Sequence, residues 1–283
     1  MSASAGIPPG LGEVLESAAD RIRPFGSRVV HLAVVGSTND VAAVLATDGA
    51  PEGTVVIADA QTAGRGRMGH TWHSPPGAGL YVSVVLRPPR AWLTTAPGLV
   101  NLVTLTAGVA VAEGLLAACG IDAGIKWPND IVVGRSGRSS AVGGWRKIAG
   151  ILAEGATTSG ELQHVVLGYG VNLLRVEYPP EIAERATSIE QEIGRRIERT
   201  TVLVETLAVL SQGYAALAEG HVDDVLARWR ALSPSCEGAS VAWTGAAGRA
   251  VGVTAGIDRA GALLVRSGAG PTEAIRSGEV TWL

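Results

Sequence analysis

The chain has 283 residues, of which 47% are hydrophobic and 17% are charged, and its net charge is only -3. This length and composition suit one large domain, or one domain with a small appendage, and the low charge argues against a broad surface for nucleic acid or acidic membranes. The two cysteines, Cys119 and Cys236, lack metal-ligand spacing and cannot form a disulfide framework, which favours a reducing compartment.

The first thirty residues contain one short helical pattern, GEVLESAADRI (12–22), which Pro24 ends. The opening MSASAGIPPG lacks the basic start and apolar core of a signal peptide, so we expect a cytoplasmic protein. The segment is also too short and not basic enough for a DNA-reading module, so direct DNA binding is not expected.

Strands and helices alternate from there. RVVHLAVV (28–35) predicts a strand from its β-branched run, and STNDVAAVLATDG (37–49) predicts a helix that opens on a polar cap residue. TVVIADA (54–60) and LYVSVVL (80–86) predict two more strands, with the loop QTAGRGRMGHTWHS (61–74) between them. Glycines allow close-packed or left-handed backbone and arginines bring cationic forks, so this loop suits a segment that closes over an anion.

An uncharged stretch, residues 91–112, is long enough to span a bilayer. Pro97, Gly98 and Asn101 interrupt it and Glu113 follows at once. Apolar residues recur at helical spacing over residues 98–118. We therefore interpret this stretch as a buried helix of a protein outside the membrane.

Next, IDAGIKW (121–127) and DIVVG (130–134) predict strands joined by a tight turn at Pro128-Asn129, and RSGRSSAVGG (135–144) predicts a mobile connection. KIAGILAE (147–154) and LQHVVLGYGVNL (162–173) then predict a hairpin across TTSG.

Two helical patterns follow Pro179-Pro180, TTVLVETLAVLSQGYAALAEG (200–220) and HVDDVLARWRAL (221–232). Composition shifts near Ser233-Pro234 to short strands punctuated by glycine, a rhythm typical of a small β-barrel. We expect an α+β domain over residues 1–232, of which 1–28 form a short extension, and a barrel over 235–283.

Polar segments accompany the arginine loop. GSTND (36–40) places hydroxyls and an amide at a helix start, where free N–H groups can hold polar atoms, although plain capping also explains them. KWPNDI (126–131) puts a cation, an aromatic ring, an amide and a carboxylate around a turn; a strand-end turn accounts for Pro128-Asn129 but not for Lys126 in an apolar run.

Two further segments complete the set. Lys147 begins an apolar strand, so its stem can pack while its ammonium reaches a cleft, although an exposed strand-end lysine fits equally well. GYGVNL offers Gly168 and Gly170 for close backbone approach to a ligand, with Asn172 as a polar partner; a bulge or twist is the alternative explanation for the glycines.

Together and in this order, the segments resemble the biotin–protein ligase family. The resemblance continues through ATSI (186–189), GIDRAGALLV and SGEV, and it covers nearly the whole chain from about residue 30. It implies a catalytic domain related to class II aminoacyl-tRNA synthetases with a C-terminal SH3-like barrel. It also implies an enzyme that uses ATP and Mg²⁺ to activate biotin as biotinyl-5′-AMP and then transfers biotin to a lysine of a biotin carboxyl carrier protein or domain. A homodimer is left open.

The resemblance implies a role for each matching residue. Lys147 matches the lysine between the biotin carboxylate and the α-phosphate, Arg65 and Arg67 match the positions that hold carboxylate and phosphate, and Asp130 serves either the incoming amine or a metal. The implied catalytic residues are thus Lys147, Arg65, Arg67 and Asp130; the biotin-binding residues are Ser37, Thr38, Asn39, Gln61, Gly64, Arg65, Gly66, Arg67, Lys147, Gly150 and Gly168; the ATP-binding residues are Arg67, Trp72, Lys126, Asn129 and Asn172. Mg²⁺ is expected through the ATP phosphates, with no protein ligand assigned.

Two departures from the family pattern stand out. Met68 and His70 replace further basic residues of the loop, which implies a looser phosphate grip, and the insert 137–145 is either a lid or a tolerated loop. Competing functions are lipoate or octanoate attachment, a biotin-responsive repressor and a pure biotin-binding module. The GRGR loop and the barrel favour biotin over lipoate, and a binding module would not need the cations and KWPND together.

Overall fold

The computed structural model describes residues 10–89, 92, 98–134, 144–245, 248–268 and 270–283. Its helices are α1 (Leu11–Ser17), α2 (Ala19–Ile22), α3 (Thr38–Thr47), α4 (Leu99–Cys119), α5 (Pro180–Ala183), α6 (Ile189–Ile193), α7 (Arg199–Ala218) and α8 (Val222–Leu232), with 3₁₀ turns at Arg67–Gly69 and Pro234–Cys236. Its strands are β1 (Arg28–Val35), β2 (Thr54–Gln61), β3 (Gly79–Leu86), β4 (Gly124–Lys126), β5 (Asp130–Val133), β6 (Arg146–Thr158), β7 (Glu161–Asn172), β8 (Glu237–Gly245), β9 (Gly248–Ile257), β10 (Leu263–Arg266), β11 (Thr272–Ile275) and β12 (Val280–Trp282).

Seven strands form the larger sheet, in the order β1-β2-β3-β7-β6-β5-β4. Only the β1–β2 pair among them is parallel, and the remaining neighbours are antiparallel. Alternate side chains of β2 serve two cores: Val55 and Ile57 join the main core, whereas Val56 packs with Ala42 and Ala46 of α3. Because both faces of its central strands are covered, their sequences are nearly continuous apolar runs.

Two helices, α4 and α7, pack together beneath this sheet. A Cβ on Gly114 would lie 2.8 Å from the Cα of Thr206, so the two backbones approach closely. Within the described ranges both helices are long and apolar enough to cross a membrane by length and composition alone. Buried fractions of 72% and 56% over their most apolar windows identify them instead as interior helices, as predicted for α4.

The N-terminal pattern forms two helices rather than the one predicted. The break falls at Ala18, where φ is -93° and ψ is 1°, and α2 then runs from Ala19 to Ile22. Leu11, Leu15 and Ile22 are buried in the main core, and Arg21 forms a bidentate ion pair with Glu205 of α7 at 3.0 and 2.6 Å. This segment is therefore part of the main hydrophobic core.

A polar cluster secures the outer strands against α7. His31 Nε2 lies 3.0 Å from Asp59 Oδ1, and Arg199 Nη1 donates to the same oxygen at 2.6 Å. Burial alone would raise the pKa of Asp59, but the hydrogen bonds and charges of His31 and Arg199 outweigh it and lower that pKa. This cluster stabilises the fold away from the cavity described below.

The last strands form a separate antiparallel sheet, in the order β11-β10-β9-β8-β12. Trp127 Nε1 donates to the Gly261 carbonyl at 3.1 Å, which ties this sheet to the β4–β5 turn. The predicted strand 121–127 is shorter than expected, since β4 ends at Lys126 and Trp127 turns toward the second sheet. Most of the predicted connection 135–144 lies outside the described residues; only Gly144 falls within them.

Candidate active site

A cavity of about 530 Å³ collects most of the polar residues singled out from the sequence. Its walls come from the start of α3, the arginine loop, the β4–β5 turn, strands β6 and β7, and the second sheet. Every predicted site residue lines it except Gly64: Ser37, Thr38, Asn39, Gln61, Arg65, Gly66, Arg67, Trp72, Lys126, Asn129, Asp130, Lys147, Gly150, Gly168 and Asn172. The fold thus brings segments more than a hundred residues apart to one place.

One end of the cavity is a buried network of neutral polar groups. Thr38 donates to Gln61 Oε1 through its backbone N–H at 2.9 Å and its hydroxyl at 3.1 Å. Gln61 Nε2 donates to Ser74 Oγ at 2.9 Å. Ser37 stands at the N-cap of α3, yet its side chain makes no capping hydrogen bond. Plain capping therefore does not explain these residues, which are 3–4% exposed at positions 37–39.

Ser83 belongs to this network and was missed in the sequence. Its side chain is fully buried on β3, with Oγ 2.8 Å from Thr38 Oγ1 and 2.6 Å from Asn39 Oδ1. The available signal was a lone hydroxyl within the apolar run LYVSVVL, since a buried polar group requires a partner.

The glycines of β6 and β7 make room for side chains of the protein itself. A Cβ on Gly168 would overlap Asn39 Oδ1 and lie 2.9 Å from its Cγ, and one on Gly170 would lie 2.7 Å from Trp72 Cε2. Asn39 therefore fills the space in front of Gly168, and Trp72 fills the space in front of Gly170, while contact of a ligand with either glycine stays a prediction. Gly64 is packed in the same way, since a Cβ added to it would lie 2.5 Å from the carbonyl oxygen of Trp72.

Three cations lie near the carboxylate of Asp130 on the cavity wall. Lys147 Nζ lies 2.5 Å from Asp130 Oδ1 and 5.2 Å from the centre of the Trp72 ring. Burial lowers the pKa of both Arg67 and Lys126, and the charge of Asp130 partly opposes that effect at each. Arg67, Lys126 and Lys147 outnumber the two acids that act on them, Asp130 and Glu279, so a local excess of positive charge remains, which suits an anionic ligand.

The two arginines of the loop are held differently. Arg65 forms a bidentate pair with Glu154 at 2.9 and 2.8 Å, and its Nη2 also lies 2.8 Å from Asp40 Oδ1. Between Arg67 and the end of the loop, Met68 adopts a left-handed conformation with φ 53° and is 69% exposed. Met68 and the exposed His70 line the cavity at positions where no lysine or arginine stands.

Asn129 and Asn172, which are predicted to bind the nucleotide, form hydrogen bonds within the protein through their side-chain amides. Asn129 Nδ2 donates to the Ile151 carbonyl at 2.7 Å, and Asn172 Nδ2 donates to the Thr187 carbonyl at 2.9 Å. The ATSI segment also pairs with β6, since Thr187 N–H donates to the Lys147 carbonyl at 3.0 Å. These bonds fix the strand that carries Lys147, and both asparagines line the cavity.

The second sheet also reaches the cavity, which the sequence did not indicate. Val280 and Trp282 line it from β12, Gly278 and Glu279 from the residues just before β12, and Ser235 from the 3₁₀ turn that precedes β8. The charge of Glu279 partly offsets the lowering of the Lys126 pKa. Within the described residues there is no group of three or more His, Cys, Asp or Glu side chains able to hold a metal ion.

Residues 32–172 match the biotin/lipoate A/B protein ligase family. The chain is 33% identical over 246 residues to the biotin–[acetyl-CoA-carboxylase] ligase of Paracoccus denitrificans, covering 84% of this chain and 94% of that protein. It is 38% identical over 192 residues to the bifunctional ligase/repressor BirA of Bacillus spizizenii, covering 67% of this chain and 54% of that protein. The chain thus spans about half the length of the latter relative.

Among solved structures, the biotin protein ligase of Aquifex aeolicus in complex with biotin and ATP superposes with a TM-score of 0.73. The two chains are 28% identical, and the match covers 91% of this chain and 99% of the other.

Proposed function

The chain belongs to the biotin/lipoate A/B protein ligase family, and we propose that it is an ATP-dependent biotin–protein ligase. It activates biotin as biotinyl-5′-AMP and transfers the biotinyl group to a lysine of a biotin carboxyl carrier protein or domain. One observation carries this proposal: a buried neutral polar pocket lies next to a cluster of cations within one cavity. A neutral ring system fits the first part, and two anions that must meet fit the second.

Biotin binds at the neutral end of the cavity. Its ureido ring presents paired donors and acceptors, which match the hydroxyls and amides of Thr38, Asn39 and Gln61 at buried positions. A lipoyl chain has no ureido group to form hydrogen bonds with this polar wall. The polar lining therefore favours biotin over lipoate or octanoate.

In the first half-reaction a biotin carboxylate oxygen attacks the α-phosphorus of ATP, and the bond to the bridging oxygen breaks as pyrophosphate leaves. Lys147 stands where the two anions meet and stabilises the charge on both. Arg67 and Lys126 add positive charge on the nucleotide side, and the Trp72 ring provides a stacking face for adenine.

In the second half-reaction the neutral lysine amine of the carrier attacks the acyl carbon, AMP leaves, and the amine loses a proton. We assign to Asp130, which lies on the cavity wall beside Lys147, the role of accepting a hydrogen bond from that amine. Mg²⁺ bound with ATP would neutralise phosphate charge and would be held mainly by the phosphates and water.

The finer architecture is part of the same proposal. The seven-stranded sheet with α4 and α7 corresponds to a class II synthetase-like catalytic domain over residues 1–232, and the second sheet to an SH3-like barrel over 235–283. A cytoplasmic location and a reduced state of Cys119 and Cys236 are in keeping with the cysteine usage. A homodimer stays open.

The test is biotin-dependent formation of the adenylate from ATP with Mg²⁺, followed as pyrophosphate release. We expect release with biotin and none above background with lipoate. Release with lipoate alone would refute the proposal in favour of the neighbouring activity of the family.

A further inference from the structure

Arg65, the first arginine of the loop, is held by carboxylates on two sides. Glu154 on β6 accepts hydrogen bonds from both terminal nitrogens of Arg65, at 2.9 and 2.8 Å. Asp40, in the first turn of α3, lies 2.8 Å from Arg65 Nη2. Two carboxylates on one guanidinium neutralise its charge, so Arg65 has little to offer a substrate anion in this arrangement. These contacts attach the loop to β6 and α3 through Arg65.

Glu154 also holds a residue of the buried pocket. Its Oε2 accepts from Asn39 Nδ2 at 2.8 Å, while Asn39 Oδ1 lies 2.6 Å from Ser83 Oγ on the other side. Asn39 is 4% exposed and fills the space in front of Gly168, so the amide has one orientation that satisfies both ends. One carboxylate thereby connects the pocket to the loop.

Arg67 differs from Arg65 in its surroundings. Both arginines line the cavity, but burial lowers the pKa of Arg67, and Asp130, already 2.5 Å from Lys147, is the acid whose charge acts on it. Arg67 is thus the loop arginine whose positive charge is directed into the cavity.

We propose that Glu154 is a positioning residue that couples the biotin pocket to the loop through Arg65, and that Arg65 anchors the loop while Arg67 meets the substrate anions. These separate roles of Arg65 and Arg67 rest on the proposed ligase function. The carboxylate of Glu154 accepts hydrogen bonds from both Asn39 and Arg65. The orientation of Asn39 in the pocket and the position of the loop over the pocket therefore depend on each other.

The first test needs no ligase activity. Glu154→Gln keeps an oxygen that can accept from Asn39 but removes the charge that binds Arg65. Trypsin cleavage after Arg65 or Arg67 in the ligand-free protein should become roughly five- to tenfold faster, because cleavage requires the guanidinium to leave its carboxylates. Glu161→Gln, at an exposed position on the same hairpin, is the matched control and should leave the rate unchanged.

The second test separates positioning from a general structural loss. In adenylate formation, Glu154→Gln should raise KM for biotin roughly tenfold while kcat changes less than about threefold, because the cations remain in place. Arg65→Gln should have a similar effect, and the double variant should be no worse than the more affected single variant.

Two results would overturn the proposal: an unchanged trypsin rate in Glu154→Gln, or a double variant whose loss equals the product of the two single losses. A wild-type protein that forms no adenylate would reject the ligase function instead, while the trypsin comparison would still decide whether Glu154 anchors the loop.

Discussion

Lys147→Met separates the catalytic role of this cation from its role in stability. Methionine keeps most of the apolar stem and removes the ammonium. The ion pair with Asp130 is short, at 2.5 Å, but its side chains are 33% and 26% exposed. Water screens such a pair, so its loss should cost about 1 kcal/mol or less, and Tm should fall by about 2–4 °C at most for a chain of this size.

The effect on chemistry should be much larger. A preorganised charge at the meeting point of two anions stabilises the transition state by about 3–4 kcal/mol, so pyrophosphate release should fall roughly 100- to 1000-fold. Pyrophosphate release and a thermal melt on the same preparation measure both quantities.

The matched control is Arg146→Met. Arg146 is the neighbouring residue on β6 and pairs with Glu192 at 2.8 Å, but it does not line the cavity. This variant should lose some stability and keep its activity. Near wild-type pyrophosphate release by Lys147→Met would refute the reasoning, and so would an equal loss of activity in the control.

Three other predictions follow from the geometry. Gly168→Ala should displace Asn39, raise KM for biotin about tenfold or more and cost about 1–3 kcal/mol of stability, as measured by titration and chemical denaturation; unchanged biotin binding would contradict the contact. Arg67→Gly should release biotinyl-5′-AMP and label lysines of an unrelated protein, since the loop no longer holds the phosphate; an unlabelled bystander despite adenylate formation would rule this out. Asp59→Asn should lower stability at neutral pH, because neighbours including Arg199 outweigh the effect of burial and lower the pKa of Asp59. That stability is present above the unfolded pKa and is lost as pH falls through the lowered folded pKa, so the difference from wild type should shrink in urea denaturation below about pH 4.

The strands and helices were largely predictable because their periodicity is strong. The run TVVIADA forms β2, and the hairpin turn within TTSG falls at Ser159-Gly160, both of which have positive φ. The break at Ala18 was not predictable, because the helical pattern runs through it without glycine or proline.

The motifs indicated most of the cavity wall, but their mutual contacts depend on tertiary packing. Glu154 lies within the predicted strand KIAGILAE, and the residues around it in the sequence do not indicate that it pairs with Arg65, 89 residues earlier. Glu279 likewise reaches the cavity from the second sheet, which only the folded arrangement places beside Lys126. Sequence periodicity predicts elements, whereas such pairings depend on how the two sheets are joined.

Transfer of labelled biotin to a carrier tests the central claim most directly. The protein is incubated with ATP, Mg²⁺, radiolabelled biotin and a biotin carboxyl carrier domain, beside the same domain with its acceptor lysine changed to arginine. The account predicts label on the unmodified domain alone, dependent on ATP and abolished by Lys147→Met. Absence of biotin transfer, together with labelling of a lipoyl carrier domain by lipoate, would contradict it.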